Sequence, residues 1–168
     1  WRAGDKPFFI DKLPTNVHIA GLIHKAFPSA PILHLVREPM DVCYSNYKAM
    51  FGEAYSYSYD IGHLAAYYHQ YRRLMQHWHA SMPGAILDVS YADLVQDTEA
   101  TVRKVLDFCG LPYEPACLDV QRNTAPVMTL STAQVREGIH TRALGEWQRY
   151  ASQLEPLRAA LAAPPTLL

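Results

Sequence analysis

Residues 31–36 and 85–90 are two short apolar runs, Pro-Ile-Leu-His-Leu-Val and Ala-Ile-Leu-Asp-Val-Ser, each the length of one strand and too short for a buried helix. The first carries almost no polar alternation, so it reads as a strand of a parallel sheet with both faces covered. Between the runs, Asp60 stands where it can cap a helix from residue 61 to about residue 82, which Pro83-Gly84 ends. Parallel strands need a crossover connection, and right-handed crossovers dominate. The pattern therefore predicts two adjacent parallel strands joined by that long helix, and an α/β fold.

The remaining signals fit around this unit. Asn16 is predicted to cap a helix through Val17, Ala20 and Ile23 that stops at Pro28, and Pro39 to open another that continues from Val42 through Phe51. In the tract 52–60, Tyr55, Tyr57 and Tyr59 alternate with Ser56 and Ser58, a pattern read as an aromatic loop. Asp97-Thr98-Glu99 starts a helix with the apolar stripe Val102, Val105, Leu106 and Cys109, closed by Gly110-Leu111-Pro112. Signals weaken over 113–142, apart from a helical turn near 115–120. A last helix is predicted over 144–163, burying Trp147, Leu154 and Leu157 and kinked at Pro156.

A length of 168 residues, 49% of them hydrophobic and 18% charged, suits a single domain over 1–168. Fifteen Lys and Arg against sixteen Asp and Glu leave a net charge of -1, which argues against general nucleic-acid binding while allowing a local anion site. Three cysteines without CxxC spacing argue against a disulfide framework or a four-cysteine zinc site and favour a reducing, cytoplasmic setting. No apolar stretch is long enough for a membrane span.

Arg37 follows the first predicted strand, at the carboxyl end where open α/β sheets bind ligands, and the chain then turns into a helix whose first amides favour anions. Ser45 lies one turn beyond Asp41 with a hydroxyl to offer, so Arg37 and Ser45 can hold one anion. On spacing alone, a structural pair between Arg37 and Asp41 explains the same residues as well or better. Lys12, ahead of the Asn16 helix, can reach an anion near the helix start or sit in solvent. His63, His69, His77 and His79 fall in one helix without HExxH spacing, and no metal site is expected there. The stripe Tyr67, Tyr68, Tyr71, Met75 and Trp78 reads as core, and His34 as a satisfied buried histidine. Cys43, near a helix start, is a candidate for a lowered thiol pKa or for a small buried residue.

Taken in order, Asp11-Lys12-Leu13-Pro14-Thr15-Asn16, Gly21-Leu22-Ile23, Phe27-Pro28-Ser29-Ala30 and Arg37-Glu38-Pro39-Met40-Asp41 resemble the sulfotransferase superfamily. The similarity continues through Tyr71-Arg72-Arg73-Leu74-Met75, Ser90-Tyr91-Ala92-Asp93-Leu94, Phe108-Cys109-Gly110-Leu111-Pro112 and Ser131-Thr132-Ala133-Gln134-Val135-Arg136 to Trp147-Gln148-Arg149-Tyr150. It is nearest to the bacterial enzymes often fused to tetratricopeptide repeats and more distant from tyrosylprotein sulfotransferases. The resemblance implies the co-substrate 3′-phosphoadenosine 5′-phosphosulfate (PAPS), the product 3′-phosphoadenosine 5′-phosphate (PAP), no metal, and a parallel sheet flanked by helices related to P-loop kinases. It implies that Arg37 and Ser45 bind the 3′-phosphate, that Tyr91 binds the donor, that Ser131, Gln134, Val135 and Arg136 fold over the nucleotide, and that Lys12 stabilises charge on the transferring sulfuryl.

The same resemblance places the phosphosulfate loop, its strand and the general base upstream of Lys12, whereas only 11 residues precede Lys12 here. The expectation is an N-terminally incomplete sulfotransferase domain, inactive alone, whose acceptor is a protein, glycan, lipid or small molecule. The alternative is a non-catalytic, truncated nucleotide-binding module. A nucleotide kinase of related fold predicts a GxxxxGK[ST] loop, which the sequence lacks. Glu146 and Ala49 replace a lysine and an arginine of the tyrosylprotein branch, with Lys48 beside the second.

Overall fold

The computed structural model describes residues 8–120 and 138–163. Its centre is the predicted crossover unit. Strands β1 (Ile32–Val36) and β2 (Ile86–Ser90) pair in parallel, with His34 opposite Asp88 and Val36 opposite Ser90. Among the described residues this is a two-stranded sheet. Helix α1 (Ala20–Ala26) precedes β1; α2 (Pro39–Lys48) and α3 (Ile61–Ser81) connect the strands; α4 (Tyr91–Gln96) and α5 (Thr98–Phe108) follow β2, and α6 (Glu155–Ala162) comes last. No helix among the described residues is long and apolar enough to cross a membrane.

Local chemistry sets most of these boundaries. Pro39 occupies the first turn of α2, and the Glu38 carboxylate accepts the Asp41 amide at 2.8 Å. Asp60 accepts the His63 amide at 2.8 Å to start α3, as predicted, and Asp97 caps α5 through Ala100. Ser90 starts α4 by accepting the Asp93 amide at 3.2 Å, a helix absent from the sequence reading.

Helix α3 holds two cores together. Its N-terminal half packs Leu64 and Ala65 against Met40 and Cys43 of α2 and against Leu154 and Leu157 near the chain end. Its C-terminal half packs Met75 against Ala20 of α1, Met82 and Ile86, with Tyr71 and Trp78 at the margin. The aromatic stripe is thus largely core, as expected.

Four expectations need correction. Asn16 does not cap a helix: the turn starts earlier, as the 3₁₀ segment Pro14–Ile19, because Pro14 is preset for a first turn, and the Asn16 side-chain Nδ2 donates instead to the Asp11 carboxylate. The tract 52–60 is not merely a surface loop. Ser56–Tyr59 forms a 3₁₀ turn, Ser58 is fully buried, and Tyr57 stacks on Tyr67 at 3.8 Å between ring centres. The terminal helix is broken, with the 3₁₀ turn Glu146–Tyr150 ahead of α6, and Pro156 sits in the first turn of α6 rather than kinking a longer helix. Finally, among the described residues β1 is covered on one face only: Leu33 and Leu35 are 46% and 55% exposed, whereas the side chain of His34 meets α3.

Candidate functional site

Arg37 leaves the carboxyl end of β1 and Tyr91 the carboxyl end of β2. Parallel pairing brings these ends together, and the Arg37 guanidinium lies over the Tyr91 ring, 4.9 Å from its centre. Arg37 also donates to the Ala143 carbonyl. Its Nε is buried with no hydrogen-bond partner among the described residues.

Asp41 lies one turn into α2 and is almost wholly buried. Its two oxygens accept the Gly145 amide at 2.9 and 3.0 Å. The nearest Arg37 nitrogen is 3.9 Å away, an ion pair but beyond hydrogen-bonding distance. The pairing that spacing alone suggested therefore exists, yet the carboxylate is held chiefly by a backbone amide, and Arg37 keeps unused donor capacity. A guanidinium has five N–H groups, and this one uses a single intramolecular hydrogen bond among the described residues.

The approach of residues 143–145 was not evident from the sequence. It depends on Gly145, whose φ of +68° is in the left-handed region that glycine enters without a side-chain clash. Nearby, Lys48 at the end of α2 pairs with Glu146, so the lysine beside Ala49 is engaged by the acid that departs from the tyrosylprotein pattern.

The other predicted site residues are placed differently. Ser45 is half-buried on α2, one turn beyond Asp41, and Lys12 is exposed ahead of Pro14–Ile19, on a separate segment from the Arg37–Tyr91 contact. Ser131, Gln134, Val135 and Arg136 lie outside the described residues. Cys43 is no activated thiol: burial, helped by the charge of Glu38, pushes its pKa up to about 12.

A groove of about 520 Å³ runs between His18 and the α3 face carrying Tyr67, Gln70, Tyr71, Arg73, Leu74 and His77. Two aromatic residues of the predicted core stripe therefore also line a cleft.

A parallel strand pair flanked by helices, with a basic residue set from one strand end onto an aromatic ring at the next, defines a mixed α/β domain with a cation at the sheet edge where such folds bind ligands. A family profile described as "Sulfotransferase family" matches residues 2–115, more than half of the chain, and the chain belongs to that family. It is also 35% identical over 156 residues to a protein of Aquifex aeolicus (strain VF5) described as uncharacterized. That alignment covers 91% of this chain and 20% of the relative, so the chain spans about a fifth of the relative's length.

Proposed function

We propose that this chain supplies the 3′-phosphate site and part of the charge stabilisation for sulfuryl transfer from PAPS to a hydroxyl or amine. Arg37 is the observation that carries this reading: a cation at a strand's carboxyl end, braced over Tyr91, with an unpartnered Nε. That donor set fits a phosphate, which guanidinium groups bind through two parallel N–H donors. Ser45 adds a hydroxyl donor to the same phosphate, and Tyr91 supports the donor nucleotide. Ser131, Gln134, Val135 and Arg136 close over the nucleotide.

In the transfer, a bond forms between the acceptor atom and sulfur while the bond from sulfur to the phosphate bridging oxygen breaks. The acceptor's proton passes to a base, and PAP leaves. Lys12 acts on the charge that builds on the sulfuryl and bridging oxygens, an interaction strongest in the transition state. Residues 1–11 contain no Gly-, Ser- and Thr-rich phosphate loop. We place the 5′-phosphosulfate contacts and the general base in the rest of a longer protein, with tetratricopeptide repeats as a candidate neighbour, and the 168-residue chain alone as inactive.

The test measures transfer of radiolabelled sulfate by this chain, by the longer protein and by its Lys12→Ala variant, alongside calorimetric binding of PAP and of adenosine 5′-phosphate. The expected result is turnover by the longer protein alone, lowered by roughly 10²-fold in the variant with little change in PAP affinity. Robust turnover by the isolated chain refutes the dependence on other segments. Equal affinity for the two nucleotides removes the 3′-phosphate site, and PAP binding without transfer by the longer protein favours the non-catalytic module.

A further inference from the structure

Three side chains from three elements converge on one point away from Arg37. His34 of β1 and Asp88 of β2 are register partners, so their side chains leave the same face of the sheet. That face meets α3, whose last turns bring His79 alongside. Asp88 Oδ1 lies 2.7 Å from His34 Nδ1 and 3.0 Å from His79 Nε2, and all three ligand atoms fall within 4.8 Å of one another.

We propose that His34, His79 and Asp88 form a binding site for a divalent transition-metal ion of the zinc type. Two imidazole nitrogens and one carboxylate oxygen suit zinc, and a third protein ligand leaves the fourth tetrahedral position open to water. Ligands about 2.1 Å from a tetrahedral ion stand roughly 3.4 Å apart. The two short sides of this triangle therefore widen by about 0.7 and 0.4 Å, and the third, within 4.8 Å, settles near the same separation, shifts within the freedom of side-chain torsions. Asp88 is half exposed and His79 more than a third exposed, which gives the ion a path in.

His34 is the fixed member. Its side chain is 11% exposed, and its Nε2 meets the Tyr71 hydroxyl. Ligation through Nδ1 requires the proton on Nε2, and the Tyr71 oxygen is placed to accept it, the supporting contact that metal-binding histidines usually make. Without metal, the same groups form a hydrogen-bonded cluster around the carboxylate. With metal, β1, β2 and the end of α3 become tied through one ion, a clamp across the strand pair that positions Arg37 and Tyr91.

The expectation of no metal site rested on the histidines of α3 alone, and those do diverge: His69 meets the Ala160 carbonyl, while His77 lines the groove with Ser81 nearby. Only the strand register reveals that His79 has partners elsewhere.

The experiment titrates chelator-treated protein with Zn²⁺ by calorimetry and with Co²⁺ by visible absorption. Wild type is compared with His79→Asn, Asp88→Asn, Tyr71→Phe and a His77→Asn control, and circular dichroism verifies each fold. We expect one equivalent of Zn²⁺, tetrahedral Co²⁺ bands, and a Tm raised by roughly 5–10 °C at a hundredfold excess over Kd. His79→Asn and Asp88→Asn should each weaken binding at least about 100-fold and abolish the Co²⁺ bands, Tyr71→Phe should weaken it by about tenfold, and His77→Asn should leave it intact. Absence of stoichiometric binding, or binding that survives both ligand substitutions, overturns the site.

Discussion

Arg37 decides whether the Arg37–Tyr91 contact is a binding site or a structural tie. A merely structural arginine would have its donors occupied by the protein, whereas here the Asp41 carboxylate is bonded to Gly145 and Arg37 Nε is left over. In the longer protein, Arg37→Ala should weaken PAP binding by about 2 kcal/mol, near thirtyfold, through loss of a charge-assisted pair of hydrogen bonds. Tyr91→Ala should cost only ~0.5–1 kcal/mol, because a cation–ring contact is weaker. Calorimetry on both variants checks the order, and equal losses would mean that Arg37 acts through packing. Cys43 and Cys117 give a second test at this scale. Cys43 is buried and its thiol stays protonated well above neutral pH, whereas Cys117 is exposed. A thiol reagent at pH 8 should label Cys117 promptly and Cys43 only after denaturant is added; rapid labelling of Cys43 in the native protein would contradict the packing of α2 on α3. Arg37 was legible as a cation at a strand end and Tyr91 through the family resemblance, but the sequence joined Arg37 to Ser45 or Asp41 rather than to Tyr91. Asp41–Gly145 and His34–His79–Asp88 were not legible, since each joins residues far apart in sequence whose meeting depends on register and on a left-handed turn.

Helices α1 and α3 approach so closely that one glycine carries the contact. A Cβ built on Gly21 falls 2.6 Å from the Trp78 ring, and the Trp78 indole is already fixed by its hydrogen bond to the Val17 carbonyl at 2.8 Å. The ring cannot simply swing away, so Gly21→Ala should destabilise the protein by about 1–3 kcal/mol through overpacking, despite alanine's better helix propensity. Gly84 is the useful comparison: its φ is +80°, but a Cβ there meets nothing within 4 Å, so Gly84→Ala should cost only the ~1–2 kcal/mol of a left-handed alanine. Urea denaturation of the two variants separates the mechanisms, since adding Trp78→Leu should relieve Gly21→Ala and leave Gly84→Ala unchanged. A Gly21→Ala protein as stable as wild type would remove the contact. Elements with local signals were legible in advance: β1, β2, α3 and α5 have caps, breakers or unbroken apolar runs. The misread elements either carried a proline whose role was misassigned, Pro14 and Pro156 each opening a turn, or lacked such signals. The Tyr and Ser tract looked too polar for an interior, yet Tyr57 is placed by stacking on Tyr67, and the last helix is interrupted although its apolar spacing is continuous.

At the scale of the whole molecule, α3 covers one face of the sheet, and on the other face Val89 of β2 is buried while β1 is left open among the described residues. Leu33 and Leu35 are about half exposed there, and each strand has one edge that no described strand pairs. Burying a leucine side chain fully is worth ~1.5–3 kcal/mol, and an unpaired strand edge offers hydrogen bonds to any chain that comes alongside. Together these favour association between copies of the 168-residue chain over a dispersed monomer. The chain spans about a fifth of its Aquifex relative, and we expect that a longer protein carrying additional structure on this face associates less. Sedimentation velocity across a concentration series should show the 168-residue chain associating at micromolar concentrations, and the double variant Leu33→Lys, Leu35→Lys remaining monomeric. The substitutions leave the α3-facing residues Ile32, His34 and Val36 untouched, so far-ultraviolet circular dichroism should be unchanged. A wild-type chain that stays monomeric throughout would mean that the open face does not drive contact. Association undiminished by the two lysines would move its source elsewhere, to the exposed Phe8, Phe9 and Ile10 ahead of the first turn.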